Sequence, residues 1–321
     1  MEKKKVILDV DTGTDDAIAI MTAVMSENLE VLGVCAVNGN RGIDFTTENT
    51  LRVVEYLGKD IPVFRGCSLP MVVSLTEGRR EAIPYKGPKD PQDNVHGDYI
   101  DLPPATIQEQ PVSAVRWLVD TLMASEGDIT LIPVGPLTNI AMALRIEPRI
   151  AQKIKRIVIM GGGCREVNIT PTAEFNFWID PEAAKIVFDC GCDILVVPLD
   201  ATHAAAVSIR TAEALERKGT KPATLTARII RQRQNAYKHW QPMADIDSVP
   251  VHDALAVCAV LDESVLGPVV ETYADVDIGK GAADGMSIFD LDNRYKDRKK
   301  NVKVALGADP ERFADMLLNI L

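Results

Sequence analysis

The chain reads as a single-domain α/β protein: an open, mostly parallel, Rossmann-like sheet flanked by helices, with its active site at the carboxyl ends of the strands. Three observations predict this. Short continuous apolar runs such as Val6-Ile7-Leu8 alternate with helical stretches, the βαβ rhythm that produces parallel sheets with right-handed crossovers. An acidic stretch, Asp9-Val10-Asp11-Thr12-Gly13-Thr14-Asp15-Asp16, falls on the first strand-to-helix turn, and in open α/β sheets such turns lie where ligands bind. No internal repeat, low-complexity tract or linker interrupts the 321 residues, so one domain over residues 1–321 is expected.

Taken in order, Val6 to Val10 is a strand of the kind buried on both faces, and Asp16 to Met21 opens a helix. Strand 31–37, helix 46–57 and strand 61–64 continue the alternation. Residues 66–110 then form a long segment rich in Pro, Gly and charge that contains His96-Gly97-Asp98-Tyr99, and a loop of that length is usually functional. Regularity returns with helix 111–125, strand 129–134 and helix 137–144, then strand 157–160 ending in Gly161-Gly162-Gly163. An irregular polar stretch from 168 to 180 precedes helix 181–189 and strand 194–198. Residues 208–241 read as helical and mobile, followed by helix 253–261. Strand signals at 269–278, 287–290 and 302–305 and a helix over 310–320 complete the pattern.

Composition narrows the function classes. With 46% hydrophobic and 25% charged residues, the chain is ordinary globular material able to bury a sizeable core. A net charge of -11 disfavours nucleic acid or an anionic membrane as partner, because phosphate binding needs clustered Lys and Arg. Arg298-Lys299-Lys300 is a short basic cluster and reads as a solvated turn. The six cysteines include no CxxC pair, and Cys190-Gly191-Cys192 alone is weak support for a metal site, so reduced cytosolic thiols are expected. The apolar run after the basic Met1 to Lys5 stops at Asp9, too soon for a signal-peptide core or a membrane span. The expectation is a soluble cytoplasmic protein.

Four carboxylates in eight residues repel one another unless a positive group sits among them or protons are shared. No basic residue stands among them, which points to a hard cation held by oxygen ligands; a solvated turn is the plainer alternative. Asp11 and Asp16 can fold back toward one point across the turn at Gly13. His252-Asp253, just ahead of the apolar helix from Ala254, could add a further ligand, or Asp253 could act only as an N-cap. A third block, Val167 to Trp178, interleaves Asn168, Glu174 and Asn176 with aromatics. That mixture suits a sugar, whose hydroxyls want donors and acceptors while its ring wants an apolar wall, although a polar loop would look the same. His252 fits either a structural hydrogen bond or proton transfer. Tyr237 and His239, in the helical stretch 208–241, could be ordinary helix surface.

Together these blocks resemble the inosine-uridine-preferring nucleoside hydrolase family. The resemblance rests on DVDTGTDDAIAI at Asp9 to Ile20, NGN at Asn38 to Asn40, PVGPLTNIA at Pro133 to Ala141, NITPTAEFNFWIDPEAA at Asn168 to Ala184 and VHDALAV at Val251 to Val257, five blocks in family order over nearly the whole chain. It implies one Ca²⁺ held by Asp11, Asp16, Asp253 and the backbone carbonyl of Val134. It further implies that Asp15, Asn40, Asn168, Glu174 and Asn176 hold the ribose hydroxyls or the attacking water, that His252 lies on the base side as a leaving-group acid in some members, and that Asp9 braces the site from behind. His96 matches a histidine on the base-side loop of some pyrimidine-preferring members, although the usual glycine after that motif is replaced around Ile100-Asp101. Tyr237 and His239 lie in a segment resembling a mobile helix that closes over the base. The family suggests homodimers or homotetramers.

The implied reaction is hydrolysis of the N-glycosidic bond of purine or pyrimidine ribonucleosides, pyrimidines favoured, by direct attack of a metal-bound water activated by Asp11. Such cleavage passes through an oxocarbenium-like transition state and needs an activated water, charge stabilisation at the ring and relief of charge on the departing base. Two other readings remain at this point. Asp9-Val10-Asp11 mimics the DxD start of a haloacid-dehalogenase-like phosphohydrolase, although Gly13 and the Asp15-Asp16 pair fit it poorly. A calcium-dependent nucleoside-binding protein without turnover would carry the same pocket.

Overall fold

The computed structural model describes residues 2–75, 95–241, 243 and 245–321, without the side chains of His239 and Trp240. The first strand, β1 (Lys4–Val10), runs through the interior with Val6 to Val10 all buried, and hands the chain to α1 (Thr14–Met25). β2 (Leu29–Ala36), α2 (Ile43–Leu57) and β3 (Val63–Arg65) follow. Next come α3 (Ala114–Ala124), β4 (Ile129–Pro133), α4 (Thr138–Ile146) and β5 (Ile154–Met160). Two short helices, α5 (Phe175–Ile179) and α6 (Pro181–Phe188), lead into β6 (Ile194–Val197) and α7 (Leu199–Ala204). A two-stranded ribbon of β7 (Val207–Ser208) and β8 (Ser248–Val249) brackets α8 (Ile209–Lys218) and α9 (Lys221–Trp240). The chain finishes with α10 (His252–Leu261), β9 (Val269–Thr272), β10 (Ala274–Val276), β11 (Ser287–Phe289), β12 (Val302–Ala305) and α11 (Pro310–Ile320).

Eight strands form the main sheet in the order β3-β2-β1-β4-β5-β6-β12-β9. Every pairing is parallel except β12 with β9. The order reverses between β1 and β4, so the loops leaving these two neighbours diverge to opposite sides and open a crevice at their carboxyl ends. The acidic stretch leaves β1 at that switch point.

Strand alternation sends side chains into two cores. Val6, Leu8, Val10, Ile132 and Val158 face one core, packed against α1, α2, α9, α10 and α11. Ile7, Leu131, Ile157 and Ile159 face the other, against α3, α4 and α6. With both faces covered, these strands need uninterrupted apolar sequence rather than alternation.

Several expected elements differ in detail. The stretch 269–278 is not one strand: β9 pairs with β12 at the edge of the main sheet, while β10 pairs with β11 in a separate hairpin. The helical region 208–241 is two helices, broken at Gly219 and restarted where Thr220 Oγ1 accepts from Ala223 N at 3.2 Å. The irregular stretch contains α5, started by Glu174, and α7 lies in a segment with no sequence prediction. β5 begins at Ile154, before the apolar run, because its amino end carries exposed or half-buried Lys155 and Arg156. Of the long segment 66–110, residues 76–94 lie outside the described part. No helix among the described residues is long and apolar enough to cross a membrane.

Candidate active site

Asp9 is still within β1 and 1% exposed, so its carboxylate stands behind the crevice. Its Oδ2 accepts from Asn139 Nδ2 at 2.8 Å and its Oδ1 has no hydrogen-bond partner among the described residues. Burial pushes its pKa up to about 8. Asn139 also donates to Ala36 O and accepts from Cys67 N, tying α4 to the ends of β2 and β3.

Asp11 is the first acid to reach the crevice. Its Oδ2 accepts from Asn40 N at 2.7 Å, and two glycines let backbone close around it. A Cβ on Gly39 would collide with the carboxylate, and one on Gly135 would lie 2.7 Å from Oδ1. Asp16 binds the turn itself, its Oδ1 accepting from Asp11 N at 3.1 Å and its Oδ2 from Gly13 N at 2.9 Å. Burial, then the Asp15 charge, raise the Asp16 pKa to about 7, while burial and Asp16 raise that of Asp11 well above the usual range.

Carboxylate oxygens of Asp15, Asp16 and Asp253 lie within 4.8 Å of one another. Asp253 is in the first turn of α10, and burial followed by the charges of Asp15, Asp16 and Asp11 drives its pKa well up. This converging triple contains Asp15 in place of Asp11, although Asp11 borders the same cavity. Val134 also borders it, and its carbonyl accepts from Asn176 Nδ2 at 2.7 Å. An all-oxygen donor set of buried, mutually repelling carboxylates fits a hard divalent cation.

Sequence reasoning missed a positive charge. Arg233, 1% exposed on α9, places Nη1 2.9 Å from Asp15 Oδ1 and donates to Thr14 Oγ1 and Pro250 O. Burial alone would raise the Asp15 pKa, but Arg233, His96 and His252 outweigh it and hold the carboxylate below its usual value. The signal was present in the i, i+4 spacing of Arg233 and Tyr237, which puts both on one helix face. Tyr237 accepts from Arg233 Nη2 at 3.4 Å and shares a 2.8 Å hydrogen bond with His252 Nε2. His252 Nδ1 is 2.7 Å from Thr202 Oγ1 on α7, so both ring nitrogens are engaged. Burial, then Arg233, keep this imidazole well below its usual pKa.

The block from Asn168 to Asn176 lies across the cavity. Glu174 Oε1 accepts from Asn176 N at 2.9 Å, and its Oε2 accepts from Gly162 N at 2.8 Å and Phe177 N at 3.3 Å. Burial raises its pKa to about 7 against those hydrogen bonds. Asn168 Oδ1 accepts from Phe175 N at 2.9 Å. His96 Nδ1 accepts from Thr14 N at 3.2 Å, and burial lowers its pKa to about 4. One cavity is lined by Asp11, Asp15, Asn40, His96, Val134, Asn168, Glu174, Asn176, Tyr237, His252 and Asp253, together with Arg41 and Arg233. Asp16 lies behind that surface, and the His239 side chain lies outside the described part.

The profile of the inosine-uridine preferring nucleoside hydrolase family matches residues 6–315. A pyrimidine-specific ribonucleoside hydrolase, RihB of Escherichia coli strain K12, is 36% identical over 318 residues, covering 98% of this chain and 95% of the relative. Among solved structures, a purine-preferring ribonucleoside hydrolase from Gardnerella vaginalis superposes with a TM-score of 0.84 at 27% identity, covering 98% of this chain and 97% of the other. A plant nucleoside hydrolase gives 0.85 at 29% identity, with 98% of both chains covered.

Proposed function

Because the chain belongs to the inosine-uridine preferring nucleoside hydrolase family, we propose that it performs calcium-dependent hydrolysis of ribonucleosides to free base and ribose, with uridine and cytidine favoured. The observation that carries this reading is the meeting, in one cavity, of the acidic turn, the amide-and-carboxylate block from Asn168 to Asn176 and the His252–Tyr237 pair. The phosphohydrolase alternative is dropped. It would lean on Asp9, which stands behind the cavity and does not line it.

Asp11, Asp16, Asp253 and the Val134 carbonyl would hold the Ca²⁺, with Asp15 left to its pairing with Arg233 and to a ribose hydroxyl. When bound, the ion supplies positive charge that orients ribose hydroxyls and favours deprotonation of water. Asp11 accepts the proton of the attacking water, its carboxylate aimed by Asn40 N and confined by Gly39 and Gly135. Glu174 has both oxygens fixed by backbone N–H groups, so its remaining lone pairs are oriented for ribose hydroxyls before substrate arrives. On the base side, the shared proton between Tyr237 and His252 lies where the departing base needs one, and the Arg233 guanidinium beside the Tyr237 oxygen favours the negative charge left there.

Pyrimidine preference rests on the whole-length similarity to a relative whose name states that specificity. Incubation with uridine, cytidine, inosine and adenosine, followed by a reducing-sugar assay, tests the proposal. Ribose release fastest from the two pyrimidine nucleosides is the expected result, and binding without release would overturn it.

A further inference from the structure

At the opposite end of the strands, the turn joining α6 to β6 carries Cys190-Gly191-Cys192. It precedes the amino end of β6, whereas the nucleoside cavity lies beyond the strand carboxyl ends, so the reaction proposed above makes no use of it. Cys190 N donates to Val187 O at 3.2 Å, and Gly191 has φ +81°, a left-handed conformation that a glycine adopts without steric cost. The two thiols sit close enough in this turn to perturb each other's ionisation. The Cys192 thiol also donates to Ala151 O at 3.3 Å, which anchors it from the neighbouring turn. Two consecutive peptide units keep the Cα atoms within about 7.6 Å even when extended, and a turn brings them into the range of about 4.4–6.8 Å that a disulfide spans.

Of the other four thiols, two are sealed in the core and two are as half-buried as this pair. Cys35 and Cys258 are fully buried, and burial pushes Cys67 and Cys164 up to about 12. Cys190 alone is moved toward the thiolate, first by the adjacent Cys192 thiol and then, against burial, by backbone N–H groups. Both cysteines are half-buried rather than sealed. Cys190 borders a surface groove with Ile186 and Ile278, and Cys192 borders a neighbouring groove whose wall includes Arg298, Lys299 and Lys300. Lys303 adds a fourth cation there against Asp189, Asp193 and Glu271, which leaves the wall net positive toward an anionic reagent.

We propose that Cys190 and Cys192 form a reactive dithiol that exchanges with a small anionic disulfide and closes to an intramolecular disulfide. The Cys190 thiolate attacks one sulfur of the reagent, forming a mixed disulfide and expelling one thiolate. Cys192, losing its proton to solvent, then attacks the Cys190 sulfur and expels the second. One reagent disulfide is reduced to two thiols as the two protein thiols are oxidised to one disulfide.

Glutathione disulfide is the probe, with intact-mass analysis and peptide mapping of the full chain under non-reducing conditions. The wild-type protein should lose two hydrogens and yield a Cys190–Cys192 linkage, without retaining glutathione. Cys192→Ser should trap a glutathione adduct on Cys190, and Cys190→Ser should leave Cys192 unmodified at the same exposure. A stable adduct on the wild type, no adduct on Cys192→Ser, or modification of the other cysteines at a similar rate would each overturn the proposal. Circular dichroism and thermal melting check that both variants fold, and ribose release from nucleosides should be unchanged by either substitution. Because the thiol readout is mass, it stands or falls separately from the hydrolase reading.

Discussion

Asp15 and Arg233 form a buried ion pair in which neither side chain exceeds 6% exposure. Replacing Arg233 with Met keeps much of the packing but leaves a buried carboxylate beside Asp16 and Asp253 without its counter-charge, a loss of about 3–5 kcal/mol. Urea denaturation of metal-free protein should show a reduction of that order, and an unchanged midpoint would mean that the pair contributes nothing. Asp11 sets a different expectation. Asp11→Asn keeps the shape and removes the proposed base, so turnover should fall by orders of magnitude while uridine affinity changes little. Steady-state kinetics with calorimetric binding measures both, and wild-type turnover in that variant would remove Asp11 from its role. The acids were legible at this scale because they are contiguous, and sequence alone read them as requiring a positive charge. It did not identify Arg233 as a source of that charge, because the residues lie more than two hundred positions apart and meet only through the fold.

Among the elements, the turns after β1, β2 and β4 build the acidic half of the site, and their glycines fix its dimensions. Gly135→Ala would press a methyl group against Asp11. Its expected signature is a loss of kcat larger than the loss of thermal stability, read from kinetics and melting on the same preparation. Asp180 joins three elements, accepting from Met71 N, Thr138 Oγ1 and Ala183 N. Burial raises its pKa to about 6 despite those donors. The folded state therefore holds this proton more tightly than the unfolded chain does, and the associated stability, complete below pH of about 4, is lost as pH rises through about 6. Asp180→Asn should flatten the decline in denaturation free energy over that window, whereas an unchanged slope would show that Asp180 does not titrate as described. The alternation of strands and helices was legible from apolar runs because a doubly covered sheet demands them. Strand order was not, since nothing in an apolar run names its neighbour. The division of 269–278 between two sheets was hidden for the same reason.

For the whole molecule, the position of β1 beside β4 at the reversal of strand order explains why residues from Asp11 to Asp253 share one cavity. The family resemblance made the candidate set readable before the fold was known, while the supporting contacts of Asn139, Thr202 and Arg233 emerged only from tertiary packing. Asp253→Ala should lower calcium stoichiometry by elemental analysis before it affects folding, and full retention of the ion would exclude Asp253 as a ligand. The central claim joins the reaction to the ion, and ribose release from uridine before chelation, after exhaustive chelation and after return of Ca²⁺ tests both at once. The account predicts release that is abolished by chelation and restored by Ca²⁺; undiminished release from the stripped protein, or none from the protein as isolated, would contradict it.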